Sequence, residues 1–241
     1  MKRVLFLMSL LMISCSLTTN AAEKPKENCR IFLAGDSTCA KRKDSDRPKW
    51  GWGEKLADFL DGYKVVNKAA GGRSTKSYIA EGRWDKLLGE VVKGDVVMIQ
   101  FGHNDQKKKN VDRYTEPFGE YYDNLCKMIK DVKEKKAIPV ILTSVNRRNF
   151  KDGEPRRTHR DYPDAAKKAA NDMGVVVLDI EELSFQWLCK LGEEKSALRY
   201  MYSVDGSDNT HFVELGATEV AEMIAQSLKK CGNKYLEALS R

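Results

Sequence analysis

Histidine is almost absent: 241 residues carry three, His103, His159 and His211. Six cysteines accompany them, none at a CxxC spacing, so the ligand set of a zinc site is missing and no metal centre is expected. Five cysteines lie beyond the N-terminal stretch (Cys29, Cys39, Cys126, Cys189 and Cys231), and an odd number without regular spacing is no disulfide framework. Cys126 and Cys189 fall on apolar helical faces and read as buried thiols; Cys29 or Cys39 remain open to pairing in an oxidising compartment. Internal repeats, low-complexity tracts and RNA- or DNA-binding motifs are lacking too. The length and 41% hydrophobic content allow one domain or two small ones, and no linker divides the chain.

Charge of neither sign is short, but the balance tilts, with 42 Lys and Arg against 35 Asp and Glu and a net charge of +7. The lysines are interleaved with Glu and Asp along helices, which describes solvated faces and not a nucleic-acid footprint. No nucleic-acid partner is expected; an acidic polysaccharide suits the balance.

Residues 1–21 read as a signal peptide and 22–241 as the domain. Lys2 and Arg3 precede an apolar run at 4–13, too short to cross a bilayer and shaped like a secretory leader. Cleavage near Ala21 or Ala22 would release a soluble protein to the periplasm or the exterior. Alternatively, Leu11-Met12-Ile13-Ser14-Cys15 resembles a loose bacterial lipoprotein box that would put a lipid anchor on Cys15. Met12 fits that box poorly, so soluble export is the expectation. Loss of Lys2 and Arg3 leaves 40 basic against 35 acidic residues, still +5.

Five short apolar runs, at 30–35, 64–67, 95–101, 138–145 and 175–180, alternate with helical patterns. Val-Val-Met-Ile and Val-Val-Val-Leu are continuous, as in strands covered on both faces. The gaps between runs suit crossover helices, so the sheet should be parallel. Tyr162, Ala165, Ala166, Ala169, Ala170 and Met173 make a helical stripe stopped by Gly174. Phe118, Tyr121, Leu125, Ile129 and Val132 make another, begun near Thr115 with Pro117 in its first turn. Val213, Ala217, Val220, Ala221, Ile224 and Leu228 make a last one, and Trp52, Leu56, Phe59 and Leu60 a short one. The expected fold is α/β, a three-layer α/β/α sandwich around a five-stranded parallel sheet.

Ligands of such sheets bind beyond the carboxyl ends of the strands. That rule selects Ser37, the Gly71-Gly72-Arg73 turn, His103-Asn104-Asp105 and Asn146-Arg147-Arg148. A serine hydroxyl needs a base to become a nucleophile. His211 is the candidate, with Asp208 three residues earlier placed to accept its Nδ1–H. The Ser37 N–H, Gly72 N–H and Asn104 amide are candidate donors to an oxyanion. His103 reads as a loop-shaping residue. His159 falls in a polar insert at 147–161 with a turn at Lys151-Asp152-Gly153, which reads as a surface loop, with a substrate-contacting rim as the alternative.

Gly35-Asp36-Ser37, Gly72, Gly102-x-Asn104-Asp105 and Asp208-x-x-His211, in that order, resemble the four blocks of the SGNH, or GDSL, hydrolase superfamily. Gly35-Asp36-Ser37-Thr38, Ala70-Gly71-Gly72-Arg73-Ser74, Glu81-Gly82-Arg83-Trp84, Phe101-Gly102-His103-Asn104-Asp105 and Asp208-x-x-His211-Phe212 look more narrowly like its rhamnogalacturonan acetylesterase branch. The resemblance spans nearly all of the chain after the leader. It implies a flavodoxin-like sheet in the order 2-1-3-4-5 and a shallow site without a cofactor. It further implies Ser37 as nucleophile, His211 as general base, Asp208 as orienting carboxylate, and Ser37, Gly72 and Asn104 as the oxyanion hole, with Gly71 the alternative to Gly72 in the double glycine. The implied reaction is removal of O-acetyl groups from pectic rhamnogalacturonan, with Arg73, Arg147 and Arg148 as candidate contacts to its galacturonate. Phe212, where fungal-type members tend to have a small polar residue, and the charged insert at 147–160 depart from the branch and are expected to bear on substrate fit. An esterase for acetylated xylan, other glycans or small acyl esters is the alternative, and a non-catalytic glycan-binding module a remoter one.

Overall fold

The computed structural model describes residues 29–241. The leader and Cys15, with the export and lipid-anchor expectations that rest on them, lie outside the described residues. In chain order the elements are β1 (Arg30–Gly35), β2 (Lys64–Asn67), α1 (Thr75–Ala80), α2 (Arg83–Glu90), β3 (Val96–Gln100), α3 (Tyr122–Glu134), β4 (Ile138–Leu142), β5 (Phe150–Lys151), β6 (Glu154–Pro155), α4 (Tyr162–Asp172), β7 (Val176–Leu178), α5 (Ile180–Ala197), α6 (Tyr202–Asp205), α7 (Glu214–Leu228) and α8 (Lys234–Glu237). The five apolar runs form one parallel sheet in the order β2-β1-β3-β4-β7, the 2-1-3-4-5 order expected.

Successive strand residues point to opposite faces, and each face has its own core. Ile31, Leu33, Val96, Met98, Val140 and Leu142 pack with Trp52, Leu56 and the α7 residues Val220, Ile224 and Leu228. Phe32, Ala34, Val97, Ile99 and Ile141 pack with Trp84 and Leu87 of α2, Leu125 and Ile129 of α3, and the alanines of α4. Both strand faces are covered, which is why these runs are continuous and not alternating. Burying such a side chain completely contributes about 1.5–3 kcal/mol.

Several local expectations give way to packing. The run at 52–60 forms two 3₁₀ turns, Trp52–Glu54 and Leu56–Phe59, in place of an α-helix. Gly51 lies so close to the preceding loop that a Cβ there would stand 2.2 Å from Ala40 O, and this contact fixes the backbone path. The α3 stripe fails at its start: Pro117–Tyr121 is a π-helical turn broken at Gly119, and Phe118 is exposed. Helices α1, α2 and α5 match no stripe picked out from the sequence. Cys189 is exposed and Cys126 half-buried, so neither is the buried thiol expected, and Cys29 and Cys39 are buried but unpaired. The insert is not a simple surface loop. It forms the β5–β6 hairpin around Asp152-Gly153, and then turns inward to bury His159 completely.

Candidate active site

Ser37 sits at the carboxyl end of β1, beside the point where the sheet order reverses between β1 and β3. The strand ends at Gly35, where a Cβ would meet Gln100 O at 2.8 Å and Cys39 Sγ at 2.6 Å; only a glycine lets the chain turn this close to β3. Asp36 then closes the turn, its Oδ1 accepting from Thr38 N at 2.9 Å and Thr38 Oγ1 at 2.8 Å. Ser37 is left half-exposed at the tip while its neighbours on both sides are buried.

His211 and Asp208 reach it from the other end of the chain. His211 Nε2 lies 2.9 Å from Ser37 Oγ, and His211 Nδ1 lies 2.7 Å from Asp208 Oδ2. Asp208 Oδ1 also accepts from the backbone N–H groups of Thr210 and His211, each at 3.0 Å. Burial opposes ionisation of Asp208, but the bonds from His211 and the adjacent backbone hold its carboxyl below the usual carboxylate range. Lys49 Nζ stands 3.2 Å from the same Oδ2. The loop itself is strapped on two sides. Met201 N donates to His211 O at 2.8 Å, and Trp50 N donates to Phe212 O at 2.9 Å. Phe212 is wholly buried, with its ring 4.9 Å from that of Tyr200. It anchors the loop and does not bear on substrate fit as expected.

The turn that carries Gly72 lies beside the nucleophile, since a Cβ on Gly71 would stand 3.8 Å from Ser37 Cβ. Ala70 O accepts from Arg73 N at 3.3 Å, and Gly72, at φ +79°, holds the third position of the turn, which requires a positive φ and so favours glycine. Among the described residues, neither the Ser37 nor the Gly72 N–H donates to a protein group. Asn104 is buried, and its Nδ2 donates one hydrogen to Arg73 O at 3.0 Å, leaving the other. Asp105 fixes this loop: it accepts from Gly102 N, Thr75 N, Thr75 Oγ1 and Thr115 Oγ1 at 2.6–3.1 Å. Complete burial pushes its carboxyl up to about 7 despite these donors.

The arginines do not behave alike. Arg73 pairs with Glu81 at 3.1 Å and folds back on Gly71 O. Arg147 donates to His103 O at 3.1 Å. Arg148 is turned inward and is no rim contact: it is 7% exposed and donates to Asn209 Oδ1 at 3.1 Å and Glu193 O at 3.0 Å. It also stacks 4.2 Å from the Tyr202 ring centroid. Its work is to brace the loop that carries Asp208 and His211.

Sequence reasoning missed a second histidine site behind the nucleophile. His159 Nε2 lies 3.1 Å from His103 Nδ1, which in turn stands 3.7 Å from Asp36 Oδ2. That Asp36 oxygen has no hydrogen-bond partner among the described residues. Burial, followed by the Arg147 charge for His103 and by His103 and then Arg147 for His159, holds both histidines well below their ordinary range, so they stay neutral. His211 thus contacts Ser37 itself, while His103 and His159 form a buried pair against Asp36, the residue before it. Their scarcity was the available signal, together with the position of His159 directly before the α4 stripe.

A serine, a histidine and a carboxylate in line at a sheet's carboxyl edge, with free backbone donors beside them, can carry acyl transfer. The chain belongs to the GDSL-like lipase/acylhydrolase family, whose model matches residues 33–217, and it is a carboxylic ester hydrolase. It is 36% identical to a probable rhamnogalacturonan acetylesterase, YesY of Bacillus subtilis, over 87% of this chain and 96% of that one. It is likewise 36% identical to the rhamnogalacturonan acetylesterase RhgT of the same organism, over 86% and 92%. The crystal structure of Bacillus subtilis YxiM superimposes with a TM-score of 0.76 at 28% identity, over 85% of this chain and 57% of that one. The acetylxylan esterase Axe2 of Geobacillus stearothermophilus, at 18% identity and a TM-score of 0.63 over 85% and 96%, shares the fold.

Proposed function

We propose that this chain is an exported carbohydrate esterase that removes O-acetyl groups from pectic rhamnogalacturonan. The observation that carries the chemistry is the continuous line from Ser37 Oγ through His211 to Asp208, with contacts of 2.9 and 2.7 Å. Ser37 Oγ attacks the acetyl carbonyl as its proton passes to His211 Nε2. The oxyanion that forms is met by the Ser37 and Gly72 N–H groups and by the Asn104 amide, each donor of this kind contributing about 2.7–4 kcal/mol. The sugar hydroxyl leaves with the proton from His211, and an acetyl-enzyme remains. Water then gives a proton to His211 as it attacks the acetyl group, and the bond to Ser37 Oγ breaks as His211 returns that proton to the serine, releasing acetate. Asp208 stays ionised throughout, keeping the imidazole in the working tautomer.

The substrate assignment is supported by the names of the two relatives at 36% identity and by the basic groups gathered at the site. Export rests on the leader pattern of residues 1–21. The test is acetate release from acetylated rhamnogalacturonan, compared with acetylated xylan and a lysophospholipid. Preference for the pectic polymer is expected, with turnover abolished in Ser37→Ala while folding is kept. A strong preference for xylan or lipid removes the pectin assignment, and acetate release by Ser37→Ala removes the serine mechanism.

A further inference from the structure

Among the described residues, the excursion between β3 and α3 leaves the Arg113 guanidinium and the Lys107 ammonium without a hydrogen-bond or ion-pair partner. Its path is fixed at both ends: Lys107 N donates to Asn104 O at 3.1 Å, and Thr115 N donates to Asp105 O at 3.1 Å. Between them Tyr114 N bonds back to Asn110 O at 2.8 Å, and Tyr162 Oη secures Thr115 O at 2.6 Å. This folding lays Arg113 directly over the candidate oxyanion turn. A Cβ on Gly72 would stand 3.5 Å from Arg113 Nη1 and 3.7 Å from both Cζ and Nη2, so the whole guanidinium fork borders that glycine.

The other arginines around the serine are committed to partners: Arg42 Nη2 to Ser37 O, Arg73 to Glu81, Arg147 to His103 O and Arg148 to Asn209. Among the described residues, the half-buried Arg113 guanidinium and the Lys107 ammonium make no hydrogen bond and no ion pair. Lys107 is exposed as a residue, but partial desolvation of its ammonium, with the charges of Arg113 and Arg147 next, lowers it from its usual range. Cations held together against their own repulsion, beside a reaction centre, are neutralised when an anionic ligand enters. A planar fork with both Nη groups available matches a carboxylate and grips it with two bonds.

We propose that Arg113, with Lys107 beside it, receives a uronic-acid carboxylate of the acetylated glycan and so selects acidic over neutral acetyl-sugars. This rests on the reading of the site as a glycan acetylesterase, and it assigns the selection to residues other than Arg73, Arg147 and Arg148. With the acetyl carbonyl between Ser37 and Gly72, the carboxylate of the same or an adjoining sugar falls within reach of the fork.

Calorimetric titration of trigalacturonate into the Ser37→Ala protein, and into the same protein carrying Arg113→Ala, Arg113→Lys or Lys107→Gln, tests the inference without requiring turnover. Losing one charged, fork-type contact should weaken binding about tenfold or more in Arg113→Ala, with part retained in Arg113→Lys, which keeps the charge but not the fork. Methyl-esterified trigalacturonate should bind as weakly to the parent as the acid does to Arg113→Ala. Denaturation curves for each variant establish that it is folded; if Arg113→Ala is not, Arg113→Lys and Lys107→Gln decide. Equal binding of the acid and its methyl ester, equal affinity in the folded variants, or inorganic phosphate binding as tightly as trigalacturonate at matched ionic strength overturns the proposal. The two readings fail separately. Arg113-dependent trigalacturonate binding without acetate release from rhamnogalacturonan removes the pectin assignment alone, and acetate release without Arg113-dependent binding removes this one alone.

Discussion

Gly102→Ala is the substitution through which packing, and not hydrogen bonding, should govern the loop that carries Asn104. Gly102 lies at φ +135°, and a Cβ there would stand 2.3 Å from Ser144 Oγ. Ser144 has little freedom to yield, because it is buried and its Oγ donates to Phe101 O at 2.7 Å. Forcing an L side chain into this backbone region costs about 1–3 kcal/mol. Displacing the Ser144 hydroxyl from its buried acceptor costs about 1–3 kcal/mol more. The combined loss of about 2–6 kcal/mol is a large part of the 5–15 kcal/mol that hold a typical domain together. Urea unfolding followed by circular dichroism measures it. The companion Ser144→Ala should be mild, since Phe101 O keeps a second donor in Tyr121 Oη at 3.0 Å. The double variant Gly102→Ala/Ser144→Ala removes the steric conflict and leaves only the backbone strain, so it should be more stable than Gly102→Ala alone. A Gly102→Ala protein within about 1 kcal/mol of the parent, or a double variant no better than the single, would falsify the reasoning. Esterase activity of Gly102→Ala measured well below its unfolding midpoint should also be reduced, because the strain is released two residues from Asn104.

Two further outcomes follow from the same geometry. Arg148→Met keeps a long apolar stem but gives up the bonds to Asn209 and Glu193; it should lose about 2–4 kcal/mol of stability and reduce kcat with KM nearly constant. A rise in KM at unchanged kcat would return Arg148 to the substrate. Asp105, pushed up to about 7 by burial from about 4 in the unfolded chain, keeps a proton in the fold that the unfolded chain has already released. Its contribution to stability is therefore present near pH 4 and declines as pH rises toward and past 7. Urea midpoints between pH 4.5 and 8 should show that decline in the parent and lack it in Asp105→Asn, and an identical slope in both would exclude Asp105 as its source.

What could be read from the sequence was whatever is local or periodic. Ile31-Phe32-Leu33 and Val97-Met98-Ile99 are continuous because one residue feeds each core in turn, and Asp208-x-x-His211 is a contact within one loop. The π turn at Pro117–Tyr121 was hidden because it breaks at Gly119 inside an otherwise regular stripe, and the 3₁₀ turns after Gly51 because a non-local backbone approach, not propensity, decides them. The His103–His159 contact was hidden for the same reason. The two residues are far apart in the chain, and a histidine among arginines looks solvated until the hairpin folds over it. Arg113 follows a run of three lysines, Lys107 to Lys109, and composition gives no reason to separate it from them.

That last point bears on how charge should be read in this family of sites. A net charge of +7 and a cluster of arginines at the strand ends suggest a basic surface that attracts acidic polymers generally. Yet the arginines first singled out are occupied: Arg73 by a carboxylate, Arg147 and Arg148 by carbonyl and amide oxygens. A cation already bound to the protein contributes to the long-range field but has fewer of its hydrogen bonds left to give. The field is screened within about 8 Å at physiological salt, so its share of binding should fade as salt is raised. The share from an uncommitted fork in direct contact should persist. On the role proposed for Arg113, selectivity between acidic and neutral acetyl-sugars is set by which cations the fold leaves unpaired beside Gly72, and only secondarily by how many the sequence contains.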